Sequence, residues 1–251
     1  MSFLALLLAL LIEQARPLAE RNPIHDAMRR YARWMQRTLD AGLTGHAVSA
    51  WLLSVVGPAV LACVVHWVLM SVLGWPVAML WSVALLYPTL GFRQFSHHFT
   101  DIRDALDSGD ETRARELLAD WKHVDASLLP RHEIVRHVIE HSAVAAHRHV
   151  FGVLAWFSVL AALGLGPAGA VLYRMAEYAS RLWREVGVHR DGSPLASEEL
   201  SRWAAQAWRV IDWVPARLTA LSFAVVGNFE EAIDCWRTHA QQFPDDNDGV
   251  V

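Results

Sequence analysis

An all-α fold embedded in a lipid bilayer is what this sequence predicts, on three observations. From Ala41 to Phe92, 52 consecutive residues contain no Asp, Glu, Lys or Arg, and Val150 to Tyr173 adds a second charge-free run of 24. Apolar runs of roughly 18 or more residues are membrane spans by default. Charged residues make up 19% of the chain, against about 25% in an average soluble domain, and the deficit is concentrated in those runs. Outside them, Asp101 to Trp121 shows helical periodicity. A hydrophobic content of 54% excludes disorder, collagen and coiled coil. Cys63 and Cys235 are too few and too far apart for a disulfide framework or a CxxC metal site. A net charge of −4 leaves no basic surface for nucleic acid.

The elements follow in order within a single integral membrane domain, residues 1–251. Ser2 to Ile12 is apolar but lacks both the preceding basic residue and the following small-x-small site of a signal peptide, so it reads as retained. At 11 residues it covers about half of a hydrocarbon core, so it enters partway or carries Glu13 and Gln14 inward. In Glu13 to His46, Arg29, Arg30, Arg33 and Arg37 interleave with Met28, Tyr31, Trp34 and Met35, the pattern of an amphipathic interfacial helix. Residues 47–73 and 76–92 form a helical hairpin turning at Gly74-Trp75-Pro76, with Gly57-Pro58 kinking the first arm. Residues 93–148 are polar and helical, broken at Ser108-Gly109-Asp110 and again before Pro130. Residues 150–173 carry Gly164-Leu165-Gly166-Pro167 in their middle, and 213–227 form a short apolar run containing Pro215 and Arg217.

Lys and Arg set the topology. Six fall in Glu13 to His46, eight in Arg93 to Arg148 and six in Arg174 to Arg209, and such excess marks cytoplasmic segments. All three polar segments can share one side only if 150–173 is re-entrant, turning at Gly164 to Pro167. Non-helical backbone at that depth must be covered by other helices.

Several groups could carry chemistry. Glu133, His137, Glu140 and His141 share one helix face, as a metal site or as a solvated polar stripe. Arg93, His97 and His98 lie in Phe92-Arg-Gln-Phe-Ser-His-His-Phe99, as an anion site or within an interfacial aromatic belt. Arg217 inside an apolar run is a functional candidate by default, to be paired at depth with Glu13 or with carbonyls near Gly164 to Pro167; the alternative is a snorkelling side chain. His66 reads as a neutral, packed histidine.

Asp212-Trp-Val-Pro-Ala-Arg-Leu-Thr-Ala-Leu221 resembles the (N/D)W(I/V)PARLTAL signature of the CobD/CbiB family, membrane-bound amide synthases of the cobalamin pathway. It is also similar to the DWVPxRL segment of AmpE, a paralogous inner-membrane protein linked to β-lactamase regulation. Asn22-Pro23-Ile24 resembles the family's HPV, Gly166 to Ala170 its GGPGALAY, and Phe243 to Gly249, with Asn247, its HPSPNxGWPEA. The resemblance spans nearly the whole chain, and against the family pattern the C-terminus looks cut short. It implies a multi-pass inner-membrane protein with cytoplasmic polar segments, in contact with the bilayer and able to form a homo-oligomer. Its implied ligand is a corrinoid or another anionic small molecule.

The departures from the family are specific. Asp125, Arg136 and Glu140 match its GRDTSxLDExEIxRAxIESVAENTSDG segment and are the catalytic candidates the resemblance implies. The ENTSD run is absent, replaced in part by histidine and arginine within His141 to His149. The family's NTLDSMVGYRN stretch is replaced by Arg174 to Arg181. A retained synthase would join an aminopropanol-type amine to a corrinoid carboxylate with ATP and magnesium, which calls for carboxylates and fixed phosphate donors. The expectation is therefore a member degenerate in synthase motifs, with an AmpE-like regulatory or ligand-sensing role. The alternative is a divergent adenosylcobinamide-phosphate synthase.

Overall fold

The computed structural model describes residues 1–16, 23–122, 126–184 and 196–227, without the side chains of 92–95. Every regular element among them is helical. They are α1 (Ser2–Ala15), α2 (Pro23–Leu39), α3 (Thr44–Val72), α4 (Trp75–Thr89), α5 (Phe92–Asp107), α6 (Glu111–Lys122), α7 (Arg131–Ala162), α8 (Ala168–Leu182) and α9 (Glu198–Val226).

The turns fall where glycine and proline put them. Gly74 joins α3 to α4 at φ +81°, and Gly109 separates α5 from α6 at φ +79°. Both are left-handed positions that a side chain would strain. Pro130 immediately precedes α7. The break at Gly164 to Pro167 is also real. Gly164 and Gly166 take positive φ, and α8 folds back onto the last part of α7. The Trp67 indole N–H donates to the Gly164 carbonyl at 2.9 Å, and the His66 ring lies where a Gly166 side chain would go. This turn is thus covered by α3.

Two of the five apolar segments lie in helices long and apolar enough to cross a membrane, Thr44–Val72 and Arg131–Ala162; α1 is a shorter apolar helix. Three boundaries differ from the sequence reading. The polar stretch after Pro130 does not stop at His149; it continues through a π-turn at His147–Phe151 into the apolar part of α7. In α3 a π-turn at Leu52–Val56 directly precedes Gly57-Pro58, so the proline is taken up next to a widened turn. The run 213–227 is not an independent segment. It is the C-terminal half of α9, whose N-terminus Ser197 caps by accepting from the Leu200 N–H.

Twelve of the fifteen residues of α8 are buried, so other helices surround it on all sides. Gly152 and Gly169 make the close approach to α7 possible. A Cβ on Gly152 would collide with the Tyr173 ring, and one on Gly169 with the Trp156 carbonyl. Away from this bundle, α5, α6 and the start of α7 enclose a second, smaller core around Ile102, Leu106, Leu118, Ile134 and Val138.

Candidate functional site

Most of the deeply buried polar residues converge on α8, in two adjoining groups. The first surrounds Arg174. A helix leaves its last carbonyls without partners, and α4 ends at Thr89. Arg174 donates to the Thr89 carbonyl through Nε (3.0 Å) and Nη2 (2.6 Å), and His25 Nε2 donates to the Pro88 carbonyl at 2.8 Å. Arg174 Nη2 also meets His149 Nδ1 at 3.1 Å. Since guanidinium can only donate, Nδ1 accepts and the His149 proton sits on Nε2. Glu177 lies 3.5 Å from Arg174 and 3.1 Å from Arg181. Burial alone would raise the Glu177 carboxyl, but Arg181 and Arg174 outweigh it and hold the pKa down at about 2. Both guanidiniums also lie over the Tyr178 ring, at 5.8 and 5.6 Å. Burial pushes the Tyr178 hydroxyl upward and the His25 imidazole downward, keeping both neutral.

The second group links α7, α8 and α9. His147 Nε2 lies 2.9 Å from Asp212 Oδ1, His147 Nδ1 lies 2.9 Å from Thr219 Oγ1, and the Tyr173 hydroxyl donates to Asp212 Oδ1 at 2.7 Å. Thr219 Oγ1 also lies 2.9 Å from the Pro215 carbonyl of its own helix. Pro215 has no N–H for the Ile211 carbonyl, and the Trp156 indole supplies the missing donor at 3.0 Å. No protein donor among the described residues reaches Asp212 Oδ2.

These residues do not make a magnesium site. Glu177 is paired with two arginines and Asp212 is hydrogen-bonded to His147 and Tyr173, and no three His, Cys, Asp or Glu side chains among the described residues are arranged to hold a metal.

The profile of the CobD/Cbib protein family matches residues 2–251. The chain belongs to the CobD/CbiB family. It is 30% identical over 257 residues to the cobalamin biosynthesis protein CobD of Stutzerimonas stutzeri (strain A1501), covering 99% of this chain and 78% of that protein. It is 34% identical over 173 residues to CobD of Chromobacterium violaceum, covering 67% of this chain and 50% of that protein. No solved structure matches. Both relatives carry the cobalamin name, and the AmpE-like regulatory expectation finds no support in them.

For a CobD/CbiB chain, the sequence-predicted site residues scatter. Arg217 is neither buried nor paired with Glu13 or the 164–167 turn. Its Nη1 donates to the Trp213 carbonyl at 3.0 Å, and its guanidinium lies 4.0 Å from the Trp213 ring centre. The reason is helical phase. Asp212, Pro215, Ala216 and Thr219 occupy the buried face of α9, and Arg217 sits beside exposed Trp213 and Leu218. Glu13 is buried, but on α1 in register with Ala5 and Ala9.

The Glu133, His137, Glu140 and His141 side chains are engaged by neighbouring residues. Arg136 pairs with Glu133 at 2.8 Å and lies 3.6 Å from Glu140, the Lys122 ammonium takes the His137 Nδ1 lone pair at 3.1 Å, and His141 packs edge-on against Trp121. Of the catalytic candidates, Arg136 and Glu140 are thus an exposed surface pair. His98 stacks on Trp121 at 5.5 Å and against His97 at 4.0 Å, a packed column joining α5 to α6. Asp125 and Asn247 lie outside the described residues, as does the Arg93 side chain.

The residues sequence reasoning missed are Arg174, Glu177, His147, His149 and Asp212. His147 and His149 stand in the stretch where the family has ENTSD, and Arg174 and Glu177 where it has NTLDSMVGYRN. For these four the signal available was that both replaced stretches carry charge or histidine; Asp212 opens the Asp212–Leu221 signature, where attention went to Arg217 instead.

Proposed function

We propose that the protein acts in cobalamin biosynthesis, as a multi-pass protein of the inner membrane with its main polar segments facing the cytoplasm, where it handles a corrinoid. The whole-chain similarity to the S. stutzeri CobD carries this reading, with 99% of the chain aligned. The membrane part is supported by exposed Val60, Leu61, Val64, Trp67 and Val68 along α3, an apolar face that water would not tolerate. The sidedness is supported by the Lys and Arg distribution. Deleting the gene in its host and separating the corrinoids by chromatography tests it. The amount or composition of the corrinoid pool should change; an unchanged corrinoid profile would overturn the reading. A cysteine at Ser108 should react with an impermeant reagent only after the inner membrane is opened.

A finer reading concerns the chemistry. The stretch that replaces ENTSD is committed to structure, since His147 and His149 are tied to Asp212, Thr219 and Arg174. This favours a member that binds the corrinoid without an ATP- and magnesium-dependent ligase activity of its own. Failure to rescue a synthase-deficient strain supplied with cobyric acid supports it. Robust rescue makes the chain a divergent adenosylcobinamide-phosphate synthase instead.

A further inference from the structure

Helix α2 closes an apolar cleft of about 650 Å3 between itself, α3, α4 and α8, within the usual range of roughly 300–1,000 Å3 for ligand pockets. Met28 and Tyr31 of α2, Leu61 of α3, Trp81 and Leu85 of α4, and Met175 of α8 line it. Its two aromatic polar handles are already used, because the Tyr31 hydroxyl donates to the Leu53 carbonyl at 2.8 Å and the Trp81 indole to the Ala62 carbonyl at 3.2 Å. The walls therefore offer an occupant only apolar contact. Leu61 is exposed on the same face of α3 as Val64 and Val68, so the cleft opens toward the side that the membrane reading gives to lipid.

The mouth has the opposite character. Ala27 and Tyr31 both line the cleft, and Arg30, one turn from Ala27 and about 60° around α2 from it, sits just outside that lining. Trp34 follows one turn on, its ring 6.4 Å from that of Tyr31. Arg30 is exposed and has no ion-pair partner among the described residues, whereas neighbouring Arg29 pairs with Asp26. An apolar slot open to the bilayer, with a free cation and an interfacial tryptophan at its rim, is complementary to one kind of molecule. We propose that this cleft holds an acyl chain of an anionic phospholipid, with the lipid phosphate seated on Arg30. The inference rests on the membrane reading above.

Native mass spectrometry of the detergent-purified protein tests it, using equal amounts of phosphatidylglycerol and phosphatidylcholine with identical chains. Wild type should retain phosphatidylglycerol in preference, by about fivefold, the effect of one interfacial arginine on an anionic lipid. Arg30→Gln should bring the two lipids near parity, while Arg30→Lys keeps the preference because a point charge suffices. Leu61→Trp, which narrows the cleft at an exposed position, should lower retention of both. Arg113→Gln, on the surface of α6, should change neither. Equal retention by wild type, a preference that survives Arg30→Gln, or retention unmoved by Leu61→Trp would each overturn the proposal. A protein that needs detergent but shows no preference defeats this inference alone; one that stays monodisperse without detergent defeats the membrane reading with it.

Discussion

Arg174 and Glu177, at the centre of α8, are 1% and 2% exposed and 3.5 Å apart; Arg136 and Glu140, on the outer part of α7, are 60% and 55% exposed and 3.6 Å apart. The chemistry and spacing are nearly the same, but the consequences are opposite. In water an ion pair gains little, because the solvent competes for both partners. Inside the bundle each charge has lost its hydration, so it persists only where nearby opposite charges and hydrogen-bonding groups replace the water. The inner pair is accordingly tied into the α4 carbonyls, His149 and Arg181, whereas the outer pair forms part of a solvated row. A charged side chain in this chain thus has no fixed meaning; the surrounding helices determine it.

The largest expected effect is at the centre. Arg174→Met strips Glu177 of one cation and leaves the Thr89 carbonyl unanswered, and should cost about 3–5 kcal/mol in thermal unfolding followed by tryptophan fluorescence in detergent. A loss under 1 kcal/mol would erase the contrast with the surface. Acid should expose the same centre. The Glu177 pKa lies at about 2 in the fold against 4.5 unfolded, so its stabilisation is fully present above pH 4.5 and is lost as pH falls toward 2. By linkage this is on the order of 3 kcal/mol. Glu177→Gln should flatten that limb of the stability profile, and an unchanged acid limb would place the charge elsewhere.

The fold's legibility follows the same division. The hairpin turn at Gly74, the breaks at Gly109 and Pro130, and the turn through Gly164 and Gly166 were all readable, because glycine and proline act on their own backbone. The buried centre was not. Charge counting treats an arginine as the edge of an apolar run, which placed Arg174 in solvent and made Arg217 the buried candidate. Only the packing of α3, α4, α7 and α9 around α8 reverses those roles. The π-turn that brings His147 to Asp212 and His149 to Arg174 leaves no periodic signature in sequence.

Two smaller tests sharpen the contrast through glycines. Gly152→Ala drives a methyl into the Tyr173 ring and should cost about 1–3 kcal/mol with disturbance of the His147–Asp212 group. Gly109→Ala meets no atom and strains only its left-handed backbone, for about 1 kcal/mol. The smallest effect belongs to the outer ion pair, where Arg136→Ala should stay within about 0.5 kcal/mol of wild type.

A double-mutant cycle between Arg174 and Glu177 tests most directly whether the centre is a closed, mutually compensated network. Arg174→Met and Glu177→Leu should each be strongly destabilising alone, and the double variant should unfold closer to wild type than either single one, because no uncompensated charge remains buried. Losses that simply add would show that the two residues act independently and would contradict the account.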